Sequence, residues 1–253
     1  MTDEREAILK TIRSAAVLAT AVLYCWAPAA HASGGESIAS APALELGQLV
    51  AGGGQKTDFW RLQLFDGDQL TIKASLPATN SWDAPQIDEF SLYPPQIDDF
   101  SYSGAAAVAR NPDFDTYGLT QFTLTSSFTG LGTLAVCEGD YSERGCSGQI
   151  YPTVPMDPYT FTAFVNHATT MSVSVPHLAR AGTTVTVRAV VSSPAGTPAG
   201  SCVIKGRIVA LSGGHCSQRL RIGRVGHQSV SVSFVPEDGW LATSGHRVIR
   251  VVP

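Results

Sequence analysis

Apolar and polar residues alternate every second position along much of this chain, the period of a strand with one buried face rather than of a helix. In the segment 58–65, Asp-Phe-Trp-Arg-Leu-Gln-Leu-Phe, Trp60, Leu62 and Leu64 fall on one face and Arg61 and Gln63 on the other. Asp66-Gly67-Asp68 supplies a turn and residues 68–73 return with the same alternation, so the two segments are expected to pair as a hairpin. Strands are also expected at 119–125, 132–137, 148–151 and 159–164. The run Pro85-Gln86-Ile87-Asp88-Glu89-Phe90-Ser91-Leu92 is echoed by Pro95-Gln96-Ile97-Asp98-Asp99-Phe100-Ser101-Tyr102; a single echo is too short for a solenoid and predicts two similar strands around Pro94-Pro95. Beyond residue 167 come seven short segments, at 170–175, 183–191, 201–204, 207–211, 217–222, 229–234 and 246–252, the number and spacing of an immunoglobulin-like sandwich. An all-β fold is predicted, and 24 Gly and 15 Pro agree with short strands joined by turns.

The first 32 residues break this pattern. A charged start is followed by an uncharged run over residues 14–30, and Ala30-His31-Ala32 before Ser33 has the small-x-small form of a signal-peptidase site. The run is shorter than the roughly 20 residues that span a bilayer and holds Pro28 near its end. Leu23 and Tyr24 before Cys25 do not suit lipid attachment. Residues 1–32 are therefore read as a cleavable signal peptide, with export and no stable membrane insertion afterwards.

Charge divides the remainder near Asn166-His167. Residues 33–166 hold sixteen Asp and Glu against five Lys and Arg, a net of −11, and residues 167–253 hold two against nine, a net of +7, which sum to the −4 of the whole chain because the first 32 balance to zero. Two domains of opposite sign, 33–166 and 167–253, are expected, joined by residues 165–168 and docked by a salt-sensitive attraction.

Two resemblances follow from particular residues. Asp58-Phe59-Trp60, the run Leu64-Phe65-Asp66-Gly67-Asp68-Gln69-Leu70-Thr71-Ile72, Phe90-Ser91-Leu92-Tyr93, Gly132-Thr133-Leu134-Ala135-Val136 and Pro158-Tyr159-Thr160-Phe161-Thr162 together resemble the bacterial pre-peptidase C-terminal domain. That resemblance implies a jelly-roll-like β-sandwich of the kind appended to secreted hydrolases. The family's Asp-x-Asp-x-Tyr-x-Tyr strand is replaced here by Asp88-Glu89-Phe90-Ser91-Leu92-Tyr93. Further on, Ala181-Gly182-Thr183-Thr184-Val185-Thr186-Val187, Pro194-Ala195-Gly196-Thr197-Pro198-Ala199-Gly200 and Val230-Ser231-Val232-Ser233-Phe234 before Gly239-Trp240 resemble bacterial immunoglobulin-like repeat domains, which implies an immunoglobulin-like β-sandwich.

Beyond the leader stand Cys137, Cys146, Cys202 and Cys216. An even number in an exported chain favours disulfides, and of the three possible connectivities the local one, Cys137–Cys146 with Cys202–Cys216, keeps each bridge inside one domain. No pair has the tight spacing of a structural zinc site. Gly-x-Ser-x-Gly, His-Glu-x-x-His, phosphate-loop and dinucleotide fingerprints are absent from the sequence; His167, His177 and His215 fall at expected linker or turn positions and His227 and His246 at strand starts away from acidic clusters, so no catalytic residue is assigned. Asp88/Glu89, Asp98/Asp99 and Asp113/Asp115 read as solvated turns; Asn111-x-Asp113-x-Asp115 lacks the Gly and closing Glu of an EF-hand, so no cofactor is assigned and calcium is the one candidate considered.

Recognition has more material. Trp82, Tyr93, Tyr102 and Trp240, with Phe59, are candidates for stacking on a sugar ring, whereas Trp60 is expected in the core. Arg219, Arg221 and Arg224 form a basic stripe suited to an anionic polymer, and export disfavours nucleic acid as that polymer. The function expected is that of a secreted or cell-surface, non-enzymatic binding or adhesion protein with a polysaccharide or protein ligand. The alternative is a carbohydrate-binding accessory module for a separate secreted hydrolase. No sorting motif follows Val252-Pro253, so any retention at the cell wall is expected to be non-covalent.

Overall fold

The computed structural model describes residues 34, 40–53, 57–75, 89–95, 109–110, 119–137 and 158–253. The leader, Trp82, Tyr102, Cys146, the second copy of the echo and the expected strand at 148–151 lie outside them. Within them the chain is all-β, in two packed units with separate cores.

The first unit contains β1 (Leu49–Gly52), β2 (Thr57–Leu64), β3 (Gln69–Ser75), β4 (Glu89–Tyr93), β5 (Ala109–Arg110), β6 (Leu119–Thr125), β7 (Gly130–Cys137) and β8 (Tyr159–Asn166). They form two antiparallel sheets, in the orders β1-β8-β3-β6 and β2-β7-β4-β5. This is the jelly-roll arrangement, in which every connection except β4–β5 carries the chain from one sheet to the other.

The expected hairpin of residues 58–73 is therefore corrected. Leu64 pairs with Gly130 and Gln69 with Thr125 and Asn166, so β2 and β3 are neighbours in sequence but belong to facing sheets. At the bend, Gly67 N–H donates to the Ser126 carbonyl and Ser126 N–H to that of Asp68, so the turn is tied to the β6–β7 connection rather than closing a two-stranded ladder. The alternation was sound, because Trp60, Leu62, Leu64, Leu70 and Ile72 are all buried, but it reports which face is covered and not which strand lies alongside.

Between the sheets is an aromatic core. Trp60 meets Phe161 edge-on at 5.1 Å between ring centroids, Phe90 lies 5.7 Å from Phe161, and Tyr159 stacks on Phe161 at 6.2 Å. Each ring removes a large apolar area from water, and edge-to-face geometry adds roughly 0.5–1.5 kcal/mol per pair.

The second unit contains β9 (Thr170–Ser174), β10 (Leu178–Arg180), β11 (Thr184–Ser192), β12 (Gly200–Ile204), β13 (Arg207–Ala210), β14 (His215–Arg221), β15 (Gly226–Pro236) and β16 (Thr243–Val252). One sheet runs β14-β11-β9 and the other β10-β16-β15-β12-β13. The first strand's continuation, β10, crosses over and pairs parallel with the last strand, β16, which gives the immunoglobulin-like sandwich topology. The seven expected segments all fall on strands, and β10 is an addition to them. In β11 the pattern is fully regular: Val185, Val187, Ala189 and Val191 are buried, while Thr184, Thr186 and Arg188 face outward.

No flexible linker separates the units. β8 ends at Asn166, and the N–H of His167 already donates to the Gly239 carbonyl while its own carbonyl accepts from Leu241 N–H, each at 2.9 Å. Across this joint reaches Asp68, which is completely buried; its carboxylate accepts from Phe65 N–H in its own turn and from Ala168 N–H at 2.8 Å, and its Oδ2 lies 2.9 Å from His167 Nδ1. The His167 ring lies between Phe65 and Trp240, with centroids at 6.1 and 5.6 Å.

Candidate functional site

Cys202 and Cys216 form the expected disulfide, with sulfurs 2.04 Å apart. It ties β12 to β14, hence one sheet of the second unit to the other, and both residues lie in the core. Cys137 ends β7, and its expected partner Cys146 lies outside the described residues.

The aromatic candidates are scattered. Tyr93 is fully buried, with no ring face open to a ligand, and Phe59 is buried too. Trp240 is half-buried against the second core, where it contacts His167 at the joint. Trp60 is in the first core, as its alternation requires.

The basic stripe gains partners that the sequence did not name. Alternation along β14 turns His215, Ser217, Arg219 and Arg221 to solvent, while Cys216 points inward. Because β14 pairs with β11, Arg221 lies opposite Thr184, Arg219 opposite Thr186 and Ser217 opposite Arg188; β9 continues that last row with Ser174 opposite Arg188. The outer face of this sheet is thus a lattice of hydroxyls with guanidinium groups at Arg188, Arg219 and Arg221. Arg219 and Arg221 are separated by two residues of strand, roughly 6.7 Å. Arg224 is exposed just past the end of β14. Arg247, from the facing sheet, donates to the Val173 carbonyl at 3.1 Å and adds a cation at the β9 edge.

The second unit's two acids, Glu237 and Asp238, follow β15 in the connection that holds Gly239 against His167 at the joint. Among the described residues the one contact of a basic side chain with a carboxylate within 4 Å is that of His167 with Asp68, so Arg188, Arg219 and Arg221 have no carboxylate partner there. Two like charges about 7 Å apart in water repel by roughly 0.6 kcal/mol, a small cost that an anionic partner would remove.

Between the strands lies a shallow, open depression of about 510 Å³, with Ser172 and Ser174 of β9, Arg188 of β11, and Ser217 and His215 of β14 along it. Ser212 joins them through a two-residue turn, Gly213-Gly214, closed by reciprocal backbone hydrogen bonds between Ser212 and His215 at 2.9 Å. Both glycines have positive φ, 57° and 80°, the primed hairpin geometry. A Cβ on Gly214 would stand 2.8 Å from the Val191 carbonyl oxygen, so a glycine there lets the turn dock on β11.

No protein-family model matches this chain, and comparison with curated proteins returns no match. The site is therefore read from its own chemistry. Among the described residues no group of three or more His, Cys, Asp or Glu is placed to hold a metal ion, and the carboxylates considered for calcium have no described side chains. What the basic face offers is a fork of planar donors at each Arg, rotatable hydroxyls between them, and an imidazole.

Arg188 and the serines of β9 were missed at the level of sequence. Alternation over 184–192 places Arg188 outward, but its position beside Ser217 follows from a register that links segments about thirty residues apart. Phe164 was also missed: on the outer face of β8 it is 40% exposed, with Lys73 Nζ 5.3 Å from its ring centre, and Thr71 and Thr123 share a hydrogen bond on the neighbouring strands.

Proposed function

We propose that this chain is an exported, non-enzymatic binding protein that holds an anionic extracellular polymer on the β14-β11-β9 face of its second unit. The observation that carries the reading is the alignment of Arg188, Arg219 and Arg221 on one hydroxyl-lined sheet face without a facing carboxylate among the described residues. A linear polyanion suits such a rail, because successive charges can meet successive guanidinium groups. A rigid sandwich also keeps the spacing fixed, so little ordering cost falls on the protein side. Non-covalent retention on anionic wall polymers is the setting in which such a surface would act.

Binding of the full chain to dextran sulfate, followed across a salt series, tests this. The logarithm of affinity should fall linearly with that of salt concentration, with a slope of about −2 to −3, and Arg219→Ala with Arg221→Ala should reduce its magnitude by about 1–2. Salt-independent binding, or binding unchanged in the double variant, would refute the reading.

A second reading, an accessory module for neutral carbohydrate, is supported by the exposed Phe164 amid threonines on the first unit. It requires Phe164→Ala, and not the arginine variants, to abolish binding to an uncharged glucan.

A further inference from the structure

We propose that the depression between β9, β11 and β14 is a subsite for a tetrahedral oxyanion, a sulfate or phosphate group carried on the bound polymer. This rests on the reading of the same face as a polyanion contact and adds the chemistry of the group it selects. Arg188 projects from the central strand, with Ser174 directly opposite on one side and Ser217 on the other. Directly opposed residues have Cβ atoms about 5 Å apart, so both hydroxyls stand within a side chain's reach of anything the guanidinium holds.

Geometry separates the possible anions. A guanidinium gives two parallel N–H bonds in one plane, and a carboxylate, having two oxygens in that plane, is satisfied by the fork alone. A tetrahedral group held by the same fork still has oxygens above and below the plane. Those oxygens face serine hydroxyls, which rotate freely and can donate to either side. Ser172 and His215 lie one row further on, on either side of Val190, and the Gly213-Gly214 turn brings Ser212 to the same rim. Arg219 and Arg221 lie further along β14, where they meet neighbouring charges of the polymer whatever their shape.

Three derivatives of one dextran, bearing sulfate, phosphate or carboxymethyl groups and matched in length and in net charge per sugar at the working pH, isolate the shape of the anion from its charge. The full chain should bind the sulfated or the phosphorylated form at least about tenfold more tightly than the carboxymethylated one, the effect of one extra hydrogen bond to a charged group. Whichever of the two is tighter identifies the source of the oxyanion. Ser174→Ala with Ser217→Ala should abolish the preference, with an unchanged far-ultraviolet dichroism spectrum and unfolding midpoint reporting that the variant is folded. Arg188→Ala should weaken the tetrahedral forms more than the carboxylate form, whereas Arg219→Ala should weaken all three alike. Equal affinity for the three dextrans, or a preference that survives the double serine substitution, would overturn the subsite and leave the polyanion reading standing. Failure to bind any of them would overturn that reading itself.

Discussion

Asp58 is a carboxylic acid in the interior of the first unit. Its Oδ2 accepts from the N–H of Gly53 and the hydroxyl of Tyr159, both at 2.8 Å, while Oδ1 has no hydrogen-bond partner. Burial raises its pKa and the two donors only partly oppose that; burial and the adjacent carboxylate together push the Tyr159 hydroxyl well above its ordinary value. A carboxyl that holds its proton more tightly when folded adds stability that is fully present below its ordinary value of 3.8 and is lost as pH rises through the folded value. Asp58→Asn removes the titration while keeping an oxygen for both donors. The stability of the wild type relative to this variant, from urea unfolding, should therefore fall as pH rises from below 3.8, by about 1.4 kcal/mol for each tenfold difference in proton affinity between folded and unfolded chains. A difference that stays flat over that rise would show that the buried carboxyl is not linked to folding. The alternation of β2 places Asp58 on the same face as Trp60, so its burial was legible in the sequence. Tyr159, 101 residues away, was not.

Strands followed the sequence closely, and their partners did not. Segments 119–125 and 159–164 became β6 and β8, yet each flanks β3, which the local pattern assigned to β2. In a jelly roll neighbours come from distant parts of the chain, so short-range turn chemistry has little say in pairing. The disulfide shows the same division. Local pairing of Cys202 with Cys216 could be argued from spacing, whereas its role as a tie between facing sheets depends on where β12 and β14 end up. Closing a loop of this size restricts the unfolded chain by about 3 kcal/mol in the chain-entropy account. The double substitution Cys202→Ala and Cys216→Ala should lower unfolding stability by at least about that much, since two buried sulfurs are lost as well. An unfolding midpoint equal to that of the oxidised wild type would count against any stabilising role for the bridge.

On the scale of the whole molecule, a buried contact joins the units among the described residues. The halves carry −11 and +7, and exposed charges of that kind are screened within about 8 Å in physiological salt. Asp68, by contrast, is sealed from solvent and bonded to both His167 and Ala168, so salt reaches it poorly. Asp68→Ala should loosen the joint while each sandwich keeps its core, giving a larger radius of gyration in small-angle scattering than high salt alone produces in the wild type. Superimposable scattering curves for wild type and variant, with unchanged far-ultraviolet dichroism, would place the coupling elsewhere.

The sequence by itself determined the all-β class, the buried face that holds Trp60, Leu62 and Leu64, nearly all strand positions in the second unit and the pairing of Cys202 with Cys216. Each of these is a local matter, since period-two alternation records burial of a face and loop length constrains which cysteines meet. Tertiary structure alone decided that β2 and β3 belong to facing sheets, that Arg188 stands between Ser174 and Ser217, and that Asp68 closes the joint on His167. Those placements depend on register between strands far apart in the chain, and register is set by how whole sheets bury their apolar faces together, which no single segment encodes.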